Sequence, residues 1–134
     1  MPQPSQGKIA IRMESDIVLV RKAVRNAAKT LRFSVTDVTR IVTAASELAR
    51  NVYHYAQTGE VLWSTLEMDG RTGLKLEFVD KGPGIENVDM AMEMGYTTRG
   101  GLGLGLPGAK RLMDDMQVVS CSGEGTSIAV TKWL

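Results

Sequence analysis

Glu47 and Asn51 lie four residues apart in a segment whose apolar residues recur at helical spacing. Residues at positions i and i+4 are neighbours on a helix surface, so the carboxylate and the amide face the same side. Their oxygens suit a hard cation such as Mg²⁺, and the carboxylate is also able to accept a proton from a hydroxyl. Alone, the pair equally fits a solvated glutamate beside a surface asparagine.

A second group is the run Asp80-Lys81-Gly82-Pro83-Gly84, which follows a predicted strand. The two glycines permit a sharp turn and a close approach of the backbone to a ligand. The short carboxylate of Asp80 suits an exocyclic amine such as the amino group of adenine. The same residue types also fill ordinary turns, so this motif is weak by itself.

The third group is the glycine-rich run 100–106, Gly-Gly-Leu-Gly-Leu-Gly-Leu, placed just before a predicted helix. Free backbone N–H groups and the helix dipole at such a place favour phosphate. The run lacks the Gly-Lys-Ser/Thr ending of a Walker loop, and it comes too late in the chain for a Rossmann fingerprint. A flexible loop is the alternative.

The fourth group, Gly123-Glu124-Gly125-Thr126, is either a simple hairpin turn or a turn that places the Thr126 hydroxyl near a bound base. Each of the four groups is modest on its own. Their order and separation along one chain are far more specific.

Hydrophobic periodicity places these groups on secondary structure. Ser34 with Asp37 three residues later resembles a capping box at the start of the helix that carries Glu47. The first predicted elements are a strand over Lys8–Met13, a helix capped by Ser15 or Asp16 that ends near Leu31, and a helix from Ser34 that ends near Ala56 to Gly59. The later ones are strands over Glu60–Met68 and from Leu74 to Asp80, a helix from about Leu104 to Asp115, and strands over Gln117–Ser122 and Thr126–Trp133.

This order predicts an α+β fold, a two-layer α/β sandwich with a mixed sheet and the helices on one face. We expect residues 1–7 to form a flexible tail and residues 8–134 to form a single domain. The chain of 134 residues, 43% of them hydrophobic, is of ordinary size and composition for one domain.

Composition excludes several classes of function. The formal net charge of +1 does not indicate nucleic-acid binding, and no apolar run approaches the roughly 20 residues that span a bilayer. The start of the chain has no apolar core of a secretory signal. The single cysteine, Cys121, fits a reducing compartment and is expected to be a buried structural thiol. We therefore expect a cytoplasmic protein.

Together, the four groups resemble the motifs of the GHKL ATPase family, which has the Bergerat fold and includes gyrase, histidine kinases and MutL. The resemblance covers nearly the whole chain and implies binding of ATP and Mg²⁺. Glu47 to Asn51 looks like the N box, in which Asn51 would bind Mg²⁺ and Glu47 would act as the catalytic base. Gly125-Thr126 looks like the late Gly-Thr motif that supports the base site.

The resemblance also assigns the remaining nucleotide contacts. Asp80, Gly82 and Gly84 look like the G1 box, whose aspartate contacts adenine. The run Gly101, Gly103 and Gly105 looks like the G2 box of the ATP lid, and Thr98 and Arg99 precede it. Charge on the γ-phosphate would be neutralised by Arg99 or by Arg50, a choice that the sequence leaves open.

Within that family the chain is similar to the RsbT-type serine/threonine switch kinases of the bacterial stressosome. This resemblance is carried by the run 46–51, by the lid residues 98–103 with 105–108 and 110–114, and by the ending Thr131-Lys-Trp-Leu134. It implies phosphorylation of STAS-domain scaffold and antagonist proteins of the RsbS and RsbR type. It also implies that the kinase then activates an output enzyme, such as a PP2C-type phosphatase, in stress signalling.

Two alternatives stay open: an anti-sigma factor kinase that binds a sigma factor, and a nucleotide-dependent binding module without phosphotransfer. Many relatives carry a histidine four residues after the N-box asparagine, where this chain has Tyr55. His54 is one place earlier, on the side of the helix away from the apolar stripe. We assign it no catalytic role.

Overall fold

The computed structural model of the chain describes residues 6–82, 106–121 and 123–134. Three α-helices and five strands lie in these ranges, and their order matches the one predicted. The helices are α1 (Asp16–Thr30), α2 (Val35–Asn51) and α3 (Leu106–Leu112), and a π-helical turn (Val52–Ala56) directly follows α2. The strands are β1 (Gly7–Ile11), β2 (Gly59–Met68), β3 (Arg71–Asp80), β4 (Asp115–Cys121) and β5 (Gly125–Trp133).

The strands form one sheet in the order β1-β2-β3-β5-β4, and all four pairings are antiparallel. The prediction of a mixed sheet is therefore wrong for the described residues. Two helices, not one, connect β1 to β2, so the chain reverses direction once more and enters β2 antiparallel to β1. The strands β3 and β4 run parallel, but β5 lies between them.

The helices cover one face of the sheet, as predicted. α2 packs against both α1 and α3, and α1 also contacts β1. Because a short connection joins α1 to α2, the two helices are antiparallel neighbours. The side chains that face the helices from the sheet are buried, and they are Ile11, Val61, Trp63, Leu74, Leu76, Phe78, Ile128 and Val130.

The predicted cap of α2 is present, whereas that of α1 is not. The Ser34 hydroxyl accepts a hydrogen bond from the Asp37 N–H at 3.1 Å. Ser15 precedes α1 in a helical conformation and its side chain caps nothing. The Asp16 carboxylate instead accepts from the N–H groups of Arg12 and Met13, at 2.8 and 3.1 Å, and so closes the turn between β1 and α1.

The helix expected to run to Asp115 ends at Leu112. The next two aspartates accept hydrogen bonds from the last strand, β5. The Asp114 carboxylate accepts from the Trp133 N–H at 2.7 Å, and the Asp115 carboxylate accepts from the Trp133 indole N–H at 3.0 Å. These hydrogen bonds hold Asp114 and Asp115 against β5. The strand β4 therefore starts at Asp115, two residues earlier than predicted.

One apolar residue of α2 is exposed, and two further expectations differ or fall outside the described residues. Val35, in the first turn of α2, is 84% exposed. β1 begins at Gly7, the last residue assigned to the N-terminal tail, and residues 1–5 lie outside the described ranges. Cys121 ends β4, but its side chain is not among those described. No helix in the described ranges is both long and apolar enough to cross a membrane.

Candidate functional site

The ends of four strands form a row at one edge of the sheet. Ile11 pairs with Gly59, which in turn pairs with Asp80, the last residue of β3. Asp80 also pairs with Thr126 on β5. Neighbouring strands are about 4.8 Å apart, so two candidate residues far apart in sequence, Asp80 and Thr126, are adjacent in space.

The loop after Asp80 folds back on its own carboxylate. The Gly82 N–H donates to Asp80 Oδ1 at 2.9 Å, which fixes the orientation of the side chain. A Cβ on Gly82 would lie 2.6 Å from Ala56 Cβ and 2.9 Å from Ala56 Cα. The absence of a side chain at Gly82 therefore lets the loop pack directly on the π-helical turn that follows Asn51.

Gly125 supports Asp80 from the other side. Its φ of +120° is a conformation that L side chains rarely adopt. A Cβ there would collide with the Asp80 carbonyl oxygen and would lie 2.8 Å from Lys81 Cα. Gly125 therefore allows a close backbone approach between β5 and the end of β3, which was not predicted for this glycine.

Ser120 is a residue of this region that the sequence did not single out. Its hydroxyl lies 2.9 Å from the Thr126 hydroxyl and also donates to the Gly125 carbonyl at 3.1 Å. Thr126 is 9% exposed. The Cα pairing of Ser120 with Thr126 is set by the β4–β5 hairpin, so only the strand register would have indicated it.

Glu47 and Asn51 lie on the last turn and a half of α2, both half-buried. Leu48, Ala49 and Val52 are buried in the core and hold this end of the helix in place. The Arg50 guanidinium donates to Glu47 Oε1 at 2.7 Å, and the two side chains are 46% and 42% exposed. The Glu47 carboxylate therefore lies at the surface, where a second protein can reach it, beside a fixed positive charge.

The π-helical turn Val52–Ala56 was not predicted; the sequence indicated only that the helix continues to this region. It carries His54, which is exposed and has its ring edge-to-face with Tyr53 at 5.7 Å between centroids. The exposure of His54 agrees with its expected position away from the apolar stripe. The carbonyl oxygen of Tyr55, one residue later, would lie 3.2 Å from a Cβ on Gly82.

The structure thus brings together Asp80, Gly82 and Thr126, and it places Asn51 at the start of the turn against which Gly82 packs. The other predicted nucleotide contacts lie outside the described residues, and they are Gly84, Thr98, Arg99, Gly101, Gly103 and Gly105.

Comparison with known protein families identifies the family of this chain. The family model described as "Histidine kinase-like ATPase domain" matches residues 11–132. The chain belongs to the histidine kinase-like ATPase family. The GHKL resemblance stated from the motifs is therefore confirmed, and so is the α+β fold.

Individual relatives refine this picture. The chain is 49% identical over 129 residues to the serine/threonine-protein kinase RsbT of Bacillus subtilis (strain 168), and the match covers 96% of this chain and 97% of that protein. The chain is also 32% identical over 117 residues to the anti-sigma F factor of Clostridium acetobutylicum. That match covers 84% of this chain and 81% of that protein.

A solved structure agrees at the level of the fold. The crystal structure of the RsbU and RsbW domains of a Mycobacterium tuberculosis protein superposes on this chain with a TM-score of 0.64 and 18% sequence identity. The superposition covers 94% of this chain and 32% of that one.

Proposed function

We propose that this chain is a serine/threonine protein kinase that transfers the γ-phosphoryl group of ATP to a hydroxyl of a partner protein. The observation that carries the proposal is the packing of Gly82, next to Asp80, on the turn that follows Asn51. This packing brings the carboxylate that we propose to bind the base and the amide that we propose to bind the metal onto adjoining elements. The near full-length similarity to a protein named serine/threonine-protein kinase RsbT supports the same reaction.

Asp80 fits the adenine end of ATP. Its Oδ1 already accepts from the Gly82 N–H, so the carboxylate is oriented before a ligand arrives. A carboxylate has a second oxygen with its own acceptor sites, which suits the exocyclic amino group of adenine. Thr126, bonded to Ser120 and next to Asp80 in the sheet, would support the base from β5.

Asn51 fits Mg²⁺ through the hard oxygen of its amide. Mg²⁺ in nucleotide sites is commonly held by one or two protein ligands together with phosphate oxygens and water. The described residues contain no group of three or more His, Cys, Asp or Glu side chains that would hold a metal alone. Mg²⁺, when bound, would neutralise charge on the phosphates, and Asn51 would set its position.

Glu47 is the proposed catalytic base. It would accept the proton of the attacking serine or threonine hydroxyl while the new O–P bond forms and the bond from the γ-phosphorus to the β,γ-bridging oxygen breaks, leaving ADP. Such catalysis consists mostly of positioning and charge neutralisation. Arg50 is already beside Glu47, and we keep Arg99 and the lid glycines as proposed phosphate contacts.

The proposed substrates are STAS-domain scaffold and antagonist proteins, and the proposed output partner is a PP2C-type phosphatase or a similar enzyme. The similarity to RsbT supports both. We also infer that residues 8–134 act as one domain and that the protein works in the cytoplasm, as the single cysteine indicates.

Incubation with labelled ATP, Mg²⁺ and a purified STAS-domain protein, followed by phosphosite mapping, tests the proposal. We expect label on a serine or threonine of the STAS protein. Glu47→Ala should reduce the rate by about 10²- to 10⁴-fold while ATP binding is retained. Glu67→Ala, at the opposite end of β2, is the control and should leave the rate unchanged. An unaltered rate in Glu47→Ala would exclude Glu47 as the base, and a wild type that binds ATP without transfer would indicate a binding module.

A second candidate is an anti-sigma factor kinase, which the 32% identity to an anti-sigma F factor favours. Both candidates share the phosphotransfer chemistry and differ in the bound target. Calorimetry with a purified sigma factor separates them, because only the second candidate predicts a stable complex.

A further inference from the structure

The solvent face of α1 is strongly basic in a chain that is otherwise slightly acidic. Five of the sixteen basic residues, but only one of the fifteen acidic residues, lie between Asp16 and Arg32. The rest of the chain therefore has eleven basic and fourteen acidic residues. All five basic residues are exposed: Arg21, Lys22, Arg25 and Lys29 are on α1, and Arg32 lies just after it.

Within the described ranges, none of these five side chains makes an ion pair. Some basic residues elsewhere on the surface are paired. On α2, for example, Arg40 lies 3.0 Å from Asp37 and Arg50 lies 2.7 Å from Glu47. Carboxylates of residues 6–82, 106–121 and 123–134 thus form no ion pair that would neutralise the charge of α1, and this charge favours an acidic partner.

Large apolar side chains are exposed at the N-terminal end of the same helix. Val18 and Leu19 are 49% and 51% exposed, and Met13, in the turn before α1, is 57% exposed. Residues at positions i, i+4, i+7 and i+11 of a helix share one face. On α1 these positions are occupied by Val18, Lys22, Arg25 and Lys29. We call this face, with Leu19 and Met13, the α1 surface.

The α1 surface begins at the nucleotide end of the molecule. β1 ends at Ile11, which is separated from Asp80 by Gly59 alone in the row of paired residues. Two strand spacings amount to about 10 Å. Because α1 and α2 are antiparallel, the start of α1 also lies beside the end of α2, where Glu47 and Asn51 are located.

From this geometry we propose that the α1 surface binds the protein that carries the phosphoacceptor hydroxyl, through an acidic surface of that protein with an apolar residue near its target site. Carboxylates of the partner pair with Lys22, Arg25 and Lys29, and its apolar residue contacts Val18 and Leu19. The inference rests on the proposed kinase function and adds where the substrate docks and what charge it carries.

Two other occupants fit less well. An interfacial helix places its apolar face in the membrane, but the apolar face of α1 (Ile17, Val20, Val24) is already buried in the core. A second copy of the chain would bring two basic faces together, and such a contact between like charges is unfavourable.

The test is the double variant Lys22→Glu/Arg25→Glu in steady-state phosphotransfer to a purified STAS-domain protein. We expect KM for the STAS protein to rise at least about tenfold, since charge reversal creates like-charge contacts, while kcat and KM for ATP change less than about twofold. The neutral variant Lys22→Gln/Arg25→Gln should shift the same KM in the same direction by a smaller factor. Raising the salt concentration should weaken wild-type binding more than variant binding.

A matched control is Arg71→Glu/Lys75→Glu, which changes the net charge equally. Arg71 lies at the far end of the sheet, and Lys75 is on the face that the helices do not cover, because its neighbours Leu74 and Leu76 are buried against them. This control should leave KM for the STAS protein unchanged. Circular dichroism should show wild-type secondary structure for all three variants, and thermal melting should show a small loss only for the control, which removes the Lys75–Glu77 pair and the contact of Arg71 with the Trp133 ring.

The outcomes separate this inference from the kinase proposal. If the wild type transfers no phosphate but calorimetry shows STAS binding that the α1 variant loses, the docking surface stands and the kinase proposal fails. If the variant has wild-type KM and affinity, or if the wild type does not bind the STAS protein, the inference is overturned. It is also overturned if α1-dependent binding occurs only to vesicles of equal phosphatidylglycerol and phosphatidylcholine.

Discussion

The Arg50 guanidinium lies 2.7 Å from Glu47 Oε1, one helical turn along α2, so the proposed catalytic base is held by a charge-assisted hydrogen bond. The remaining acceptor sites of the carboxylate are left for the incoming hydroxyl. Since both side chains are nearly half exposed, the pair is worth at most about 1 kcal/mol. Its importance therefore lies in orienting Glu47 and not in stabilising the helix.

Arg50→Met should lower kcat for phosphotransfer by up to roughly fivefold, the rate equivalent of about 1 kcal/mol, with little change in KM for ATP. Arg50→Lys should recover part of the loss, because lysine keeps the charge but not the planar geometry. The measurement is kcat and KM for each variant. If Arg50 contacts the γ-phosphate instead of acting through Glu47, KM for ATP rises as well, and the loss persists in a Glu47→Ala background.

Asp80→Asn should weaken ATP binding by about 1.5–3 kcal/mol, or roughly 10- to 150-fold in Kd, because it removes a charged acceptor for the adenine amino group. Asparagine keeps a carbonyl oxygen for the Gly82 N–H, so the loop and the fold should remain intact. Calorimetry with ATP measures the effect. Asp69→Asn is the control, since Asp69 is exposed in the β2–β3 turn at φ +54°, which asparagine tolerates. Normal affinity in Asp80→Asn would remove Asp80 from the base site.

The order of elements was predictable because most of their signals are local. Ser34, Asp69-Gly70 and the alternating run from Leu74 to Phe78 mark a cap, a turn and a strand within a few residues each. The direction of pairing is not local. It depends on which strands become neighbours in the sheet, and the sequence predicted the two helices between β1 and β2 without fixing that β1 pairs with β2; the mixed sheet was predicted wrongly for this reason.

The contacts that assemble the site were predictable only in part. The motifs indicated Asp80 and Asn51, but not the π-helical turn through which they are linked, because Val52–Ala56 has no pattern that distinguishes it from the α-helix before it. Ser120 was missed because its role depends on register across the β4–β5 hairpin. Likewise, the end of α3 at Leu112 follows from bonds between Asp114, Asp115 and the distant Trp133.

Gly82→Ala should reduce ATP affinity, because the added Cβ would lie 2.6 Å from Ala56 Cβ and would push the loop away from the π-helical turn. Overpacking of this kind costs about 1–3 kcal/mol. The double variant Gly82→Ala/Ala56→Gly should recover part of the affinity, since the closest contact is removed. Gly108→Ala is the control, because nothing lies within 4 Å of its Cβ position. A double variant as weak as the single one would show that this contact does not position the loop.

Lys132→Met should destabilise the domain without a direct effect on the site. The Lys132 side chain is only 10% exposed, and its ammonium donates to the Leu112 carbonyl at 3.0 Å and lies 3.4 Å from Asp114 and 3.9 Å from Asp37. It thereby ties the end of α3 and the start of α2 to β5. Removing a buried donor leaves its partners unsatisfied, so we expect a loss of about 1–3 kcal/mol in the free energy of unfolding, measured by urea titration. Lys75→Met, which removes only the half-exposed pair with Glu77, should cost less than about 1 kcal/mol. Equal losses in the two variants would contradict the role assigned to Lys132.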